Sequence, residues 1–147
     1  MRIRAGCILI EDNKLALIER HRADRHYFSF PGGGVDEGET YEQAAVREIE
    51  EELGVKVRLI RKIADVKVNA RMQYYFLAER VSGEFGTGIG EEYDEYDPAF
   101  GTYQPLWMPI AQLLDHNVLP RKLAELVFHS LKEGWPAKTV IISEGKS

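Results

Sequence analysis

The sequence predicts an α/β domain in which helices cover a mixed β-sheet, and three observations predict it. β-prone runs stand before and after one central amphipathic helix at 41–53, and two further helical segments follow them. A length of 147 residues suits one domain with a full-sized core, so 1–147 reads as a single unit. Hydrophobic residues make up 44% and charged residues 29%, the balance of a soluble globular protein, and no repeat, low-complexity tract or linker divides the chain.

Taken in order, 2–10 and 15–20 are β-prone runs joined by Glu11-Asp12-Asn13-Lys14, whose turn formers predict a hairpin. The stretch 20–27, rich in Arg and His, reads either as a solvated loop or as a substrate lip. In the second reading Arg22 or Arg25 meets phosphate and Tyr27 or Phe28 meets a base. Phe28-Ser29-Phe30 predicts a short strand stopped by Pro31, which opens into Gly32-Gly33-Gly34, where backbone amides can approach a phosphate closely. After the central helix, 56–64, 66–68 and 72–80 alternate apolar and β-branched residues as strands do, with Tyr74 to Phe76 read as packing residues. Residues 103–108 form another predicted strand, Pro109 opens a short helix to Leu114, and Pro120 opens a second. Leu123, Leu126, Val127 and Leu131 are the expected buried stripe of that helix, His116 and His129 read as surface or capping residues, and 139–142 closes the chain as an edge strand.

The central helix is the most unusual stretch. Thr40 and Gln43 make a capping box at its start, and Gly54 stands where a left-handed glycine ends a helix. Ala45, Val46, Ile49 and Leu53 form one apolar stripe, while Glu48, Glu51 and Glu52 share an adjacent arc. Like charges three or four residues apart cost about 0.2–0.5 kcal/mol per pair, and the helix C-terminus disfavours them further. Local stability therefore does not explain the cluster. A solvated acidic face is the plain reading; a divalent cation is the functional one, since converging carboxylates offer hard oxygen ligands to Mg²⁺. Arg47, one turn before Glu51, can orient a carboxylate through a bidentate bond.

From Gly33 the spacing is five residues to Glu39, seven more to Arg47, then Glu48-Ile49-Glu50-Glu51-Glu52-Leu53-Gly54-Val55. This resembles the Nudix box, Gly-x5-Glu-x7-Arg-Glu-U-x-Glu-Glu-x-Gly-U with U apolar, at every defined position. Phe30-Pro31-Gly32-Gly33 is similar to the usual lead-in of that family. The resemblance implies an α-β-α sandwich and hydrolysis of a nucleoside diphosphate linked to another group X, with Mg²⁺, or alternatively Mn²⁺, as cofactor. It also implies that Glu51 and Glu52 are the principal metal ligands and Glu48 a further ligand or the base. Arg47 then orients a glutamate, and Glu39 braces the loop or assists a second metal. Gly33 joins Arg22, Arg25 and Tyr27 as expected substrate contacts. A nucleotide-binding regulatory domain without turnover is the runner-up, followed by a Nudix-related isomerase or a structural interaction module. Family subtypes with a proline about fifteen residues past the box, with a tyrosine slightly further on, or with an extended coenzyme A motif are not matched; Asn69-Ala70-Arg71 and a displaced Tyr74 stand there instead.

The net charge of −5 is uneven: 36–54 carries −7 and 91–97 carries −5, leaving +7 elsewhere. The acidic total argues against general coating of nucleic acid, and the uneven pattern suits an acidic metal site with basic residues for a polyanionic nucleotide-type small molecule. Residues 83–101 form a second acidic, glycine-rich stretch without the context of a P-loop or dinucleotide fingerprint. It reads either as a solvated loop, which at most selects substrate and leaves Glu48 as the base, or as a lid that brings a catalytic carboxylate to the site, Glu92 first, with Glu91 and Glu95 in reserve. Cys7, the single cysteine, leaves no internal disulfide or zinc cluster and is expected as a buried thiol. No signal peptide or long apolar run is evident, so a cytoplasmic protein without membrane contact is expected, with a homodimer the expected form of any self-association.

Overall fold

The computed structural model describes residues 3–87 and 102–145. Strands β1 (Arg4–Glu11) and β2 (Lys14–Arg22) form the expected hairpin. Its turn residues Asp12 and Asn13 both have positive φ, 51° and 60°, as the twist-matching two-residue turn requires. β2 continues past Arg20, and β3 (Arg25–Ser29) returns against it with His21 opposite His26 and Arg22 opposite Arg25. The Arg- and His-rich stretch is therefore a second hairpin and not a loop. Polar residues belong to these strands because they extend beyond the core. The glycines are strand too: β4 (Gly32–Gly34) pairs antiparallel with β1. A Cβ on Gly32 would come 2.7 Å from the Ala5 carbonyl oxygen, so close backbone packing is what requires glycine there.

Helix α1 (Tyr41–Leu53) has the predicted limits, with both capping-box hydrogen bonds formed and Gly54 at φ 80°. β5 (Val55–Val68) runs unbroken through both segments expected after the helix, absorbing register shifts at three places, and pairs antiparallel with β6 (Arg71–Gly83). β7 (Thr102–Pro109) lies antiparallel to β2, and a 3-10 helix (Ile110–Asp115) follows it. β8 (Val118–Leu119), α2 (Arg121–Glu133) and the edge strand β9 (Val140–Glu144) complete the fold.

Strands β4, β1, β6, β5 and β9 are neighbours in that order, with the β1–β6 and β5–β9 pairs parallel. β8, β3, β2 and β7 form a second ribbon, joined to the first where Ile10 pairs with Leu15. Alternation along the strands feeds two cores. Ala5, Cys7, Leu9, Ala16 and Ile18 face α1, whereas Ile8, Leu15 and Leu17 join the cluster that contains Leu123, Ala124 and Val127 of α2. A mixed sheet with a helix on each face is the predicted sandwich. Ile49 and Leu53 are wholly buried, each contributing about 1.5–3 kcal/mol, which outweighs the like-charge terms on the same helix. Two stripe positions differ from expectation: Ala44 is buried where Val46 is only half-buried, and Leu131 is exposed while Ser130 is buried.

Candidate active site

The site starts from a glycine packed directly against a carboxylate. A Cβ on Gly33 would stand 2.4 Å from the Glu48 carboxyl carbon and 2.4 and 2.6 Å from its oxygens. Capped α1 holds Glu48 against β4 at this point. One turn on, buried Glu52 accepts a hydrogen bond from the Gly32 amide at 2.7 Å through Oε1. These two carboxylates share with Gly32, Gly33 and Gly34 a cleft of about 230 Å³. Its other walls are Arg4 of β1, Arg20 of β2, Ser29, Phe30 and Tyr103 of β7.

Arg47 is the hub beside that cleft. Its bidentate partner is Glu39, at 2.6 and 2.9 Å, and not Glu51. It also donates to Glu48 Oε1 at 2.8 Å and to the Gly34 carbonyl at 3.0 Å, while both Glu51 oxygens lie at 3.4 Å from Nη1. Glu39 additionally accepts the Asp36 amide at 2.9 Å, so this carboxylate ties the loop before α1 to the helix. The Arg47 hydrogen bonds hold the Glu39 carboxyl down at about 2, with help from the Asp36 amide. Hydrogen bonding to Glu39 raises the Arg47 guanidinium above its ordinary value. Burial pushes Glu48 upward, opposed by its bond to Arg47 and reinforced by the negative charge of Glu51.

Glu48 and Glu52 thus line the cleft, while Glu51 stands beside it at Arg47. The three do not bring one oxygen each within 4.8 Å of one another. Arg22 and Arg25 are exposed at the tip of the β2–β3 hairpin, and the Arg25 guanidinium lies over half-buried Tyr27 at 4.7 Å from the ring centre. Neither arginine lines the cleft. Glu91, Glu92 and Glu95 lie outside the described residues. Sequence reasoning missed Arg4, Arg20 and Tyr103. Arg20 and Tyr103 are directly opposed across β2 and β7, with the guanidinium carbon 3.7 Å from the ring centre. Their separation of 83 residues left no local signal, although alternation along β2 places Arg20 on the face of Ala16 and Ile18.

The NUDIX domain family profile matches residues 1–127. The 8-oxo-dGTP diphosphatase of Escherichia coli (strain K12) is 37% identical over 91 residues, 57% of this chain and 70% of that protein. The RNA pyrophosphohydrolase of Orientia tsutsugamushi (strain Boryong) is 28% identical over 148 residues, 87% of this chain and 88% of that one. The RNA pyrophosphohydrolase of Pelagibacter ubique matches at 43% over a shorter part, 37% of this chain and 35% of that protein. Among solved structures, a NUDIX hydrolase from Nitrosomonas europaea superposes with a TM-score of 0.68 at 21% identity, covering 97% of this chain and 79% of that one. The box, the sandwich and these matches agree: the chain belongs to the Nudix family, as a hydrolase of its pyrophosphohydrolase type.

Proposed function

We propose that the protein hydrolyses the pyrophosphate of a nucleoside diphosphate linked to another group X, by attack of water on phosphorus, with Mg²⁺ or Mn²⁺ as cofactor. The observation that carries this reading is the joining of Glu48, Glu52, the glycine backbone, Arg4 and Arg20 in one cleft. The donors fit a hard cation. Two carboxylates one turn apart face the cleft, one buried and one partly so, with Glu51 adjacent. Glu48, Glu51 and Glu52 would hold the ion, which when bound polarises phosphoryl oxygens and makes water a better nucleophile.

The remaining work falls to the chain. Arg47, clamped by Glu39, fixes the Glu48 carboxylate, and the packing of Gly33 sets how deeply that carboxylate sits. Arg4 and Arg20 supply positive charge for a polyanion. The Arg20–Tyr103 stack offers a flat surface for a base or ribose, and Arg22, Arg25 and Tyr27 form an outer lip for the distal part of the substrate. Where Glu48 is left off the ion, its carboxylate lining the cleft can instead accept the proton of the attacking water. Glu92 is the alternative base. No helix among the described residues is long and apolar enough to cross a membrane, and we place the enzyme in the cytoplasm, as a monomer or homodimer.

Relatives are named for 8-oxo-dGTP and RNA, so these open the substrate screen, followed by other nucleoside triphosphates, nucleotide sugars and dinucleotides. Hydrolysis with Mg²⁺ in ¹⁸O-water is expected to place label in a phosphate-containing product. Label solely in a sugar hydroxyl contradicts attack on phosphorus, and binding without any product selects the regulatory alternative.

A further inference from the structure

On the sheet face opposite the cleft residue Arg20, the β2–β3 hairpin gathers Glu19, His21 and His26. Glu19 and His21 are two residues apart on β2 and so share a face, and His26 is the cross-strand partner of His21. Glu19 Oε2 lies 2.6 Å from His26 Nε2, a hydrogen bond, and 3.4 Å from His21 Nε2, so the same nitrogen of both imidazoles stands beside one carboxylate oxygen. The rings are stacked with centres 4.2 Å apart and planes 6° from parallel. One ligand atom from each residue falls within 4.8 Å of the others, and among the described residues this is the one such group of three.

We propose that Glu19, His21 and His26 form a site for a divalent transition-metal ion, Zn²⁺ foremost, separate from the Nudix-box carboxylates. Bonds of about 2.0–2.1 Å to nitrogen or oxygen in a tetrahedron put ligand atoms about 3.4 Å apart. The Glu19–His21 separation is already 3.4 Å, the Glu19–His26 hydrogen bond of 2.6 Å opens by less than 1 Å as an ion replaces its proton, and one exposed imidazole turns out of the stack so that both ring planes meet the ion. Two imidazoles and one carboxylate select a borderline-soft ion over Mg²⁺, which favours an all-oxygen octahedron. The site is reachable, since the His21 and His26 side chains are about half exposed. A fixed register supports it: Arg22 pairs with Arg25 across the turn, so the ligands sit on two hydrogen-bonded strands and not on a loop. Three protein ligands leave a fourth position for water. Because Arg20 lies between Glu19 and His21 in sequence, an ion here ties together the strands that carry Arg20 and Tyr27.

The test is a count of bound zinc by equilibrium dialysis of the untagged full chain with Zn²⁺ alone and again with excess Mg²⁺. Circular dichroism verifies that each variant is folded. The chain is expected to retain one zinc equivalent in excess Mg²⁺. His21→Ala and His26→Ala should each weaken that equivalent by at least the roughly 10–100-fold that loss of an outer-shell partner costs. Glu19→Gln should weaken it too, while Glu52→Gln and His129→Ala leave it in place. Retention of the same equivalent with unchanged affinity in the His21→Ala/His26→Ala double variant overturns the proposal, as does the absence of any zinc retained against Mg²⁺.

Discussion

Gly33→Ala tests how the cleft holds its carboxylate. The added Cβ would meet the Glu48 carboxyl at 2.4 Å, whereas unstrained carbon contacts lie near 3.5–4.0 Å, so Glu48 must retreat by about 1 Å. It is not free to do so without loss, because Arg47 holds its Oε1 at 2.8 Å. A misplacement of about 1 Å costs about 10²-fold in rate, equivalent to about 2.7 kcal/mol of barrier. Overpacking should destabilise the fold by about 1–3 kcal/mol, lowering Tm by about 2–4 °C for each kcal/mol. Steady-state kinetics on the substrate found by the screen, with Mg²⁺ saturating, measure the first effect and thermal melting the second. Glu48→Asp draws the carboxylate back by one methylene, so it should cost less in the Gly33→Ala background than in the parent chain. Near-normal kcat for Gly33→Ala, with Tm lowered, would refute the argument that Glu48 must sit where this glycine lets it.

Three further outcomes follow from named contacts. Glu39 has its carboxyl held at about 2, below the ordinary value near 4.3, so its contribution to stability is present above pH 4.3 and lost as pH falls towards 2. The Tm difference between the parent chain and Glu39→Gln should therefore shrink between pH 5 and pH 2; a constant difference contradicts this. Arg20→Ala and Tyr103→Ala should raise KM more than they lower kcat, and unchanged KM in both removes the pair from substrate binding. Finally, Glu→Gln changes at 48, 91, 92 and 95 assign the base, whose loss should lower turnover by about 10²–10⁴-fold at saturating substrate. Nearly normal turnover in the variants at 91, 92 and 95 leaves Glu48 as the base.

Local rules were enough where the structure is local. Thr40, Gln43 and Gly54 delimit α1 because capping is decided within four residues, and Glu11 to Lys14 form a turn because Asp and Asn tolerate positive φ. The glycine strand was illegible because its stability comes from contact with the Ala5 and Gly6 backbone and not from its own side chains. The second hairpin was obscured by charge, although its alternation of Arg and His is a strand pattern with no core beneath it. Within the site, the box residues share one loop and helix and could be read as a unit. Arg4, Arg20 and Tyr103 meet them only through the pairing of β7 with β2 and of β1 with β4. Pairings of that range carry no mark in a single sequence. The tighter grip of Arg47 on Glu39 than on Glu51 likewise depends on how the loop folds back over the helix.

Glu52→Gln bears most directly on the account as a whole. Its carbonyl oxygen can still accept the Gly32 amide, so the contact at 2.7 Å and the fold should survive while one negative charge leaves the cleft. Circular dichroism should be unchanged, and apo stability should rise slightly as repulsion on the helix is relieved. Mg²⁺-dependent pyrophosphate hydrolysis should fall by orders of magnitude. Full Mg²⁺-dependent turnover in this variant would contradict the claim that the Glu48–Glu52 cleft is where the reaction takes place.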